Sequence, residues 1–191
     1  SLAVYHALAR LESGVKPDDE LLDELAAART TLATHGPLFE EGLAWLGLGR
    51  CHLALESLAA AHECFERMLA LADRGGGRPL AWAALHRLGN LAERRGDSGA
   101  AVDCYEQAIA HIESTRRDLR IGAFRAGFLA DKLRVYGDLA LLHARSGRLE
   151  DAFTVVERAK SRLLAERLTE RLRDEIDTLT APGAGVGKLA S

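Results

Sequence analysis

The stretch Trp45-Leu46-Gly47-Leu48-Gly49, followed at fixed distances by His52, Ala61, Phe65 and Met68, decides how this chain folds. Its elements recur. A second segment reads Leu85, Leu88-Gly89, Ala92, Gly96, Ala101, Tyr105 and Ala108, and a third reads Tyr136, Leu139-Ala140, His143, Gly147, Ala152, Val156 and Ala159. In each, the step from the small residue at 49, 89 or 140 to the alanine at 61, 101 or 152 is 12, and the next large or branched residue comes 4 later. Recurrence at fixed offsets is the sequence mark of a repeat architecture.

The offsets have a packing reason. A small residue midway along one helix and an alanine early in the next let the two axes approach to roughly 8–10 Å, while the large side chains at 45, 65, 85, 105 and 136 fill the space around that contact. The turns agree: Gly96-Asp97-Ser98 and Gly147 supply residues tolerant of positive φ, and Ser57 or Asp97 can cap the second helix. Each unit is thus predicted to be a helix-turn-helix whose apolar faces are buried only by stacking on neighbours.

Outward from these segments, a first helix is predicted from Leu2 to about Glu12, ended by Ser13-Gly14. Lys16-Pro17-Asp18-Asp19 then offers an N-cap carboxylate for a second helix through Leu21, Leu22, Leu25 and Ala28 towards Gly36. The expected organisation is a degenerate leading pair over 1–36, three helix pairs with a C-terminal helix over 37–180, and a flexible linker or tail over 181–191. No segment shows the strict polar/apolar alternation of a half-buried strand.

Composition supports the all-α reading. Of 191 residues 48% are hydrophobic but only 5% aromatic, and Ala, Leu, Glu and Arg dominate, side chains that lose little rotamer freedom in a helix. The net charge of −3 provides no global field to draw DNA, RNA or anionic lipid. No apolar run is long enough for a bilayer crossing, and no secretion signal opens the chain, so a cytoplasmic setting without membrane contact is expected. The chain opens on Ser1 rather than Met, which reads as a piece of a longer protein whose chemistry lies outside these residues.

The repeat pattern resembles the tetratricopeptide repeat (TPR) family at the tryptophan, Leu-Gly, alanine, aromatic and alanine positions quoted above. The resemblance implies tandem antiparallel helix pairs stacked as a short right-handed solenoid that binds a protein or peptide and needs no cofactor. Two features depart from the family. Its repeat is usually 34 residues, whereas Ala61 to Ala101 is 40 and Ala101 to Ala152 is 51, part of the first excess being a Gly75-Gly76-Gly77 loop. The proline that often ends a repeat is also missing.

The third unit carries a narrower resemblance. Phe128-Leu129-Ala130-Asp131-Lys132-Leu133-Arg134-Val135-Tyr136, then Gly147-Arg148-Leu149-Glu150-Asp151-Ala152-Phe153 and Glu157-Arg158-Ala159-Lys160-Ser161-Arg162-Leu163-Leu164, is similar to the last repeat before the peptidase of CHAT proteins, caspase-like cysteine peptidases preceded by TPR arrays. The resemblance implies a regulatory or recognition region, in contact with a downstream His/Cys peptidase domain that the residues after Leu168 are too few to form. The alternative is the helical sensor region of a bacterial transcription regulator or signalling ATPase.

In the family the first helix of each pair lines the concave binding surface. The register then turns Leu46, Arg50, Leu53, His86, Asn90, Glu93, Arg94, Arg134, Leu141 and Arg145 inward, a set that leans positive and suits carboxylates or backbone carbonyls of an extended peptide. The competing reading is a solvated helix face with intramolecular ion pairs. The pattern that clamps a chaperone's acidic C-terminus is absent, since Asp138 stands where a basic residue would be wanted.

Three chemical motifs are set aside. Cys51-His52 with His62-Glu63-Cys64 contains four zinc-ligand types, but they fall inside helices at packing positions, whereas compact zinc sites usually draw ligand pairs from loops or tight turns. Cys51, Cys64 and Cys104 are odd in number and read as reduced core thiols, with no base motif to activate a nucleophile. Gly183-Ala184-Gly185-Val186-Gly187-Lys188 resembles a phosphate loop, but Pro182 replaces its first glycine, Leu189 its Ser/Thr, and no strand precedes it.

Overall fold

The chain begins as predicted. In the computed structural model, which describes residues 2–118, 132–161 and 164, α1 runs Leu2–Glu12 and ends at Gly14, whose φ of 82° only glycine adopts without strain. The Oδ1 atom of Asp18 accepts a hydrogen bond from the Leu21 amide at 2.9 Å, so the anticipated carboxylate caps α2, Asp19–His35. Asp19 and Glu20 add negative charge to the first turn, where the helix dipole favours it.

Two further pairs follow: α3 (Leu38–Ala54) with α4 (Leu58–Leu71), and α5 (Arg78–Arg94) with α6 (Ser98–Asp118). Then come α7, Leu133–Arg145, and α8, residues 149–161. All regular elements among the described residues are helical, the all-α architecture of stacked helix pairs read from the register. The C-terminal helix expected beyond 164 and the tail over 181–191 lie outside the described residues.

The glycine loop is a different object from the one expected. Helix α4 runs straight into a wide π-type turn, Ala72–Gly76, with Gly75 at φ 117° and Gly77 at φ 88°. A Cβ on Gly76 would lie 2.7 Å from Leu80 and 2.8 Å from the Leu71 carbonyl, so the chain reverses there only because that atom is missing.

The chain divides into two compact units, 1–114 and 115–191. In the first, each second helix packs on the next first helix, α2 on α3 and α4 on α5, and the first helices α1, α3 and α5 touch in succession. Core layers form at each level of the stack. Ala7, Leu21, Leu25, Leu48, Cys51 and Cys64 join the leading pair to the next, and Met68, Leu71 and Ala72 meet Leu80, Ala81 and Ala84 of α5.

Glycines on α3 set how near the neighbours come. A Cβ on Gly47 would lie 2.8 Å from Leu25 of α2, one on Gly42 would strike Leu80 of α5, and one on Gly49 would lie 2.7 Å from Phe65 Cζ of α4. One helix therefore carries a notch for the helix before it, its own partner and the helix after. Ala61, Phe65, Ala101 and Tyr105 are fully buried, in the roles their spacing implied.

The second unit holds α7 and α8, with Val135, Tyr136, Leu139, Leu142 and Val155 buried. Val156, the register counterpart of Phe65 and Tyr105, is 42% exposed. The third pair thus keeps the register in sequence but not the burial of that position. Valine is shorter than an aromatic ring, and Ala140 replaces the glycine notch that would let the helices close upon it.

Candidate functional site

The first helices α1, α3 and α5 form a row through the packing just described, and equal register steps give α3 and α5 equivalent sets of the residues expected to face a partner. Arg50 and Asn90 each follow the packing glycine by one residue, Leu46 and His86 precede it by three, and Leu53 and Glu93 follow it by four.

Several of these residues serve the fold as well as the face. Leu46 and Leu53 are half-buried and pack against the cluster of Ala61, Phe65, Leu88 and Leu91. His86 is buried, its ring centroid 5.8 Å from that of Tyr105 and tilted by 54°. Glu93 Oε1 accepts a hydrogen bond from the Tyr105 hydroxyl at 2.6 Å, and Asn90 Nδ2 donates to the His86 carbonyl at 3.1 Å.

The positive lean of the row is partly neutralised. Arg50 reaches across to α1, 3.9 Å from Glu12 Oε1, and Arg10 lies 3.7 Å from both Asp18 and Glu24. Such partly exposed pairs contribute about 0–1 kcal/mol each, so they bias the geometry of the arginines more than they stabilise the chain. Arg94 remains exposed at the end of α5. On α7, in the second unit, Arg134, Leu141 and Arg145 are exposed.

The Glu93–Tyr105 bond was missed in the sequence, although a signal for it exists. Positions 12 apart vary together: Leu53 with Phe65 is apolar on both sides, Glu93 with Tyr105 is polar on both sides, and Ala144 with Val156 is small on both sides. The predicted Ser57 cap is not made, for its side chain takes no capping hydrogen bond, whereas Asp97 Oδ1 accepts from the Ala100 amide at 3.0 Å.

The cysteines sit in apolar surroundings. Cys51 and Cys64 are buried together with Leu25 and Leu48, and Cys104 is half-buried. Burial pushes the Cys64 thiol up to about 11, helped by the nearby Glu63 carboxylate; burial likewise raises Cys51 and Cys104. His62 Nδ1 is turned to Glu66 at 3.4 Å. Among the described residues no three His, Cys, Asp or Glu side chains are grouped to hold a metal. The phosphate-loop-like Gly183–Lys188 lies outside the described residues, and no described helix is long and apolar enough to cross a membrane.

Comparison with known proteins agrees with this architecture. Residues 40–114, which span α3 to α6, match the tetratricopeptide repeat family model. No curated protein matches the chain. Among solved structures it is similar to BtubC (BKLC) from P. vanneervenii, with a TM-score of 0.66 and 17% identity over 86% of this chain; it spans 63% of that chain. It is also similar to a Podosopora anserina protein of nearly identical TPR-like repeats and to a single-substitution variant of that protein, each with a TM-score of 0.61 and 18% identity over 93% of this chain and 89% of the other. That structural likeness shows the fold alone, a TPR-like array of helix pairs.

Proposed function

We propose that this chain is a non-catalytic protein-binding module that holds an extended peptide or protein segment on the row of first helices, as the recognition or regulatory region of a CHAT-type cysteine peptidase. The observation that carries the binding half is the succession of α1, α3 and α5, which sets Arg50 and Asn90 at equivalent places with Arg94 exposed beyond them. Guanidinium and amide groups spaced along adjacent helices suit the carboxylates and carbonyls of an extended chain, and repeat modules of this type generally bind proteins. The peptidase half is supported by the sequence Glu157-Arg158-Ala159-Lys160-Ser161-Arg162 at the end of the third repeat.

The binding half is tested by titrating an identified partner into wild-type protein, Arg50→Glu and Arg94→Glu. A loss of about tenfold or more is expected for each, corresponding to about 1.4 kcal/mol. Unchanged affinity in both variants would clear this row of responsibility. The peptidase half is tested on the full gene, in which an α/β domain with a His/Cys dyad is expected to follow these repeats. A gene without one removes it.

A further inference from the structure

Helix α1 ends on a charge that the helix itself disfavours. Glu12 is its last residue, where the dipole of the helix makes a carboxylate unfavourable. The neighbouring cation of α1, Arg10, is turned instead to Asp18 and Glu24. Among the described residues the one ion pair of Glu12 reaches across to α3, where its Oε1 lies 3.9 Å from Arg50 Nη1.

That pair is unequal. The side chain of Arg50 is 20% exposed and that of Glu12 is 74% exposed, so packing fixes the arginine while the glutamate stays in solvent. A charged N–H closes on a carboxylate to about 2.7–2.9 Å when the two are hydrogen-bonded, and 3.9 Å is attraction without that bond. Among the described residues Arg50 makes no hydrogen bond, which leaves its planar set of donors in place and unfilled.

We infer that Glu12 is a resident counter-ion of Arg50 that a partner has to displace, so that position 50 admits a carboxylate and rejects an uncharged group. The inference rests on the reading of these residues as a partner face, and it narrows the partner to an acidic segment. A partner's Asp or Glu replaces one negative charge by another and closes on the guanidinium with two parallel hydrogen bonds, a stronger contact than the loose pair it removes. A backbone carbonyl or a side-chain amide brings no charge in exchange. It would leave a largely buried cation without its counter-ion, a cost its single hydrogen bond does not offset.

Two capped decapeptides test this, one alternating Glu with Ser and the other Gln with Ser, titrated by fluorescence anisotropy into the whole chain, Glu12→Gln, Arg50→Gln and the double variant. The wild type is expected to bind the acidic peptide and not the neutral one. Glu12→Gln is expected to tighten the acidic peptide about threefold and to bring binding of the neutral peptide into range. Arg50→Gln is expected to weaken the acidic peptide about tenfold. In that background Glu12→Gln is expected to change nothing, which separates release of Arg50 from the general effect of one negative charge fewer. Circular dichroism should show all four chains equally folded, since the pair lost in Glu12→Gln and the dipole conflict it relieves are of similar size.

Acidic-peptide binding that Arg50→Gln leaves unchanged removes Arg50 from the partner face and overturns the underlying reading. Binding that Arg50→Gln weakens but Glu12→Gln fails to tighten, or tightens equally with and without Arg50, overturns the role of Glu12 alone.

Discussion

Gly89 of α5 lies under the ring of Tyr105 on α6, so near that a Cβ at 89 would stand 2.5 Å from Cε1. The approach that glycine permits also carries the Tyr105 hydroxyl to Glu93, one turn further along α5. Gly49 under Phe65 repeats the relationship in the preceding pair.

Alanine at these notches is therefore expected to destabilise. Gly49→Ala and Gly89→Ala each gain about 1 kcal/mol of helix propensity but overpack a fully buried ring at a cost of about 1–3 kcal/mol. The net loss is expected near 1 kcal/mol, a drop of a few degrees in melting temperature followed by circular dichroism. Gly137→Ala is the contrast. With nothing within 4 Å of the new methyl, the propensity gain stands alone and stability should rise by up to about 1 kcal/mol.

The pairing of positions 93 and 105 predicts a compensating double substitution. Tyr105→Phe removes the hydroxyl bonded to Glu93 and should cost about 1–2 kcal/mol in chemical denaturation. Glu93→Leu added to it recreates the Leu53 and Phe65 combination of the first repeat and should recover most of the loss. A coupling energy near zero between the two sites would contradict the pairing.

The tight turns give predictions of opposite sign. Glu56 occupies the left-handed region at φ 58°, where the equivalent residues are Gly96 at φ 80° and Gly147 at φ 75°. Glu56→Gly should stabilise the chain by about 0.5–1 kcal/mol, since the relief of Cβ strain exceeds the entropy glycine adds to the unfolded chain. One residue on, Asp97→Ala should cost about 1 kcal/mol through the lost cap on α6. Ser57→Ala should change little, because that side chain makes no cap.

The thiols predict an alkaline limit. The folded Cys64 pKa of about 11 lies above the ordinary 9.0, so the stability this group contributes is complete below pH 9 and is lost as pH rises from 9 through 11. Melting temperature should fall across that window, and less so in Cys64→Ala once its own cavity cost is subtracted. At pH 8 a thiol reagent should modify half-buried Cys104 fastest, with Cys51 and Cys64 reacting at the rate of unfolding.

Local offsets made much of this legible in advance. The α1 boundaries, the Asp18 and Asp97 caps and the positive φ of Gly96 and Gly147 each depend on residues within one turn of one another. The set proposed to face a partner was less legible. The register counts Leu46, Leu53 and His86 in that set, but it carries no information on how deeply the adjacent helix covers them, and His86 is buried against Tyr105.

By itself the sequence determined the all-α fold and the pairing of helices, because small and bulky residues at steps of 12 and 4 leave one way to interdigitate neighbouring faces. Only the tertiary structure decided that Glu93 bonds Tyr105, that Arg50 reaches Glu12 and that Val156 stays at the surface beside an open cleft. The reason is physical. Spacing specifies which face of a helix a residue occupies, whereas burial and partners depend on the distance between helices, which is set by side chains elsewhere in the chain.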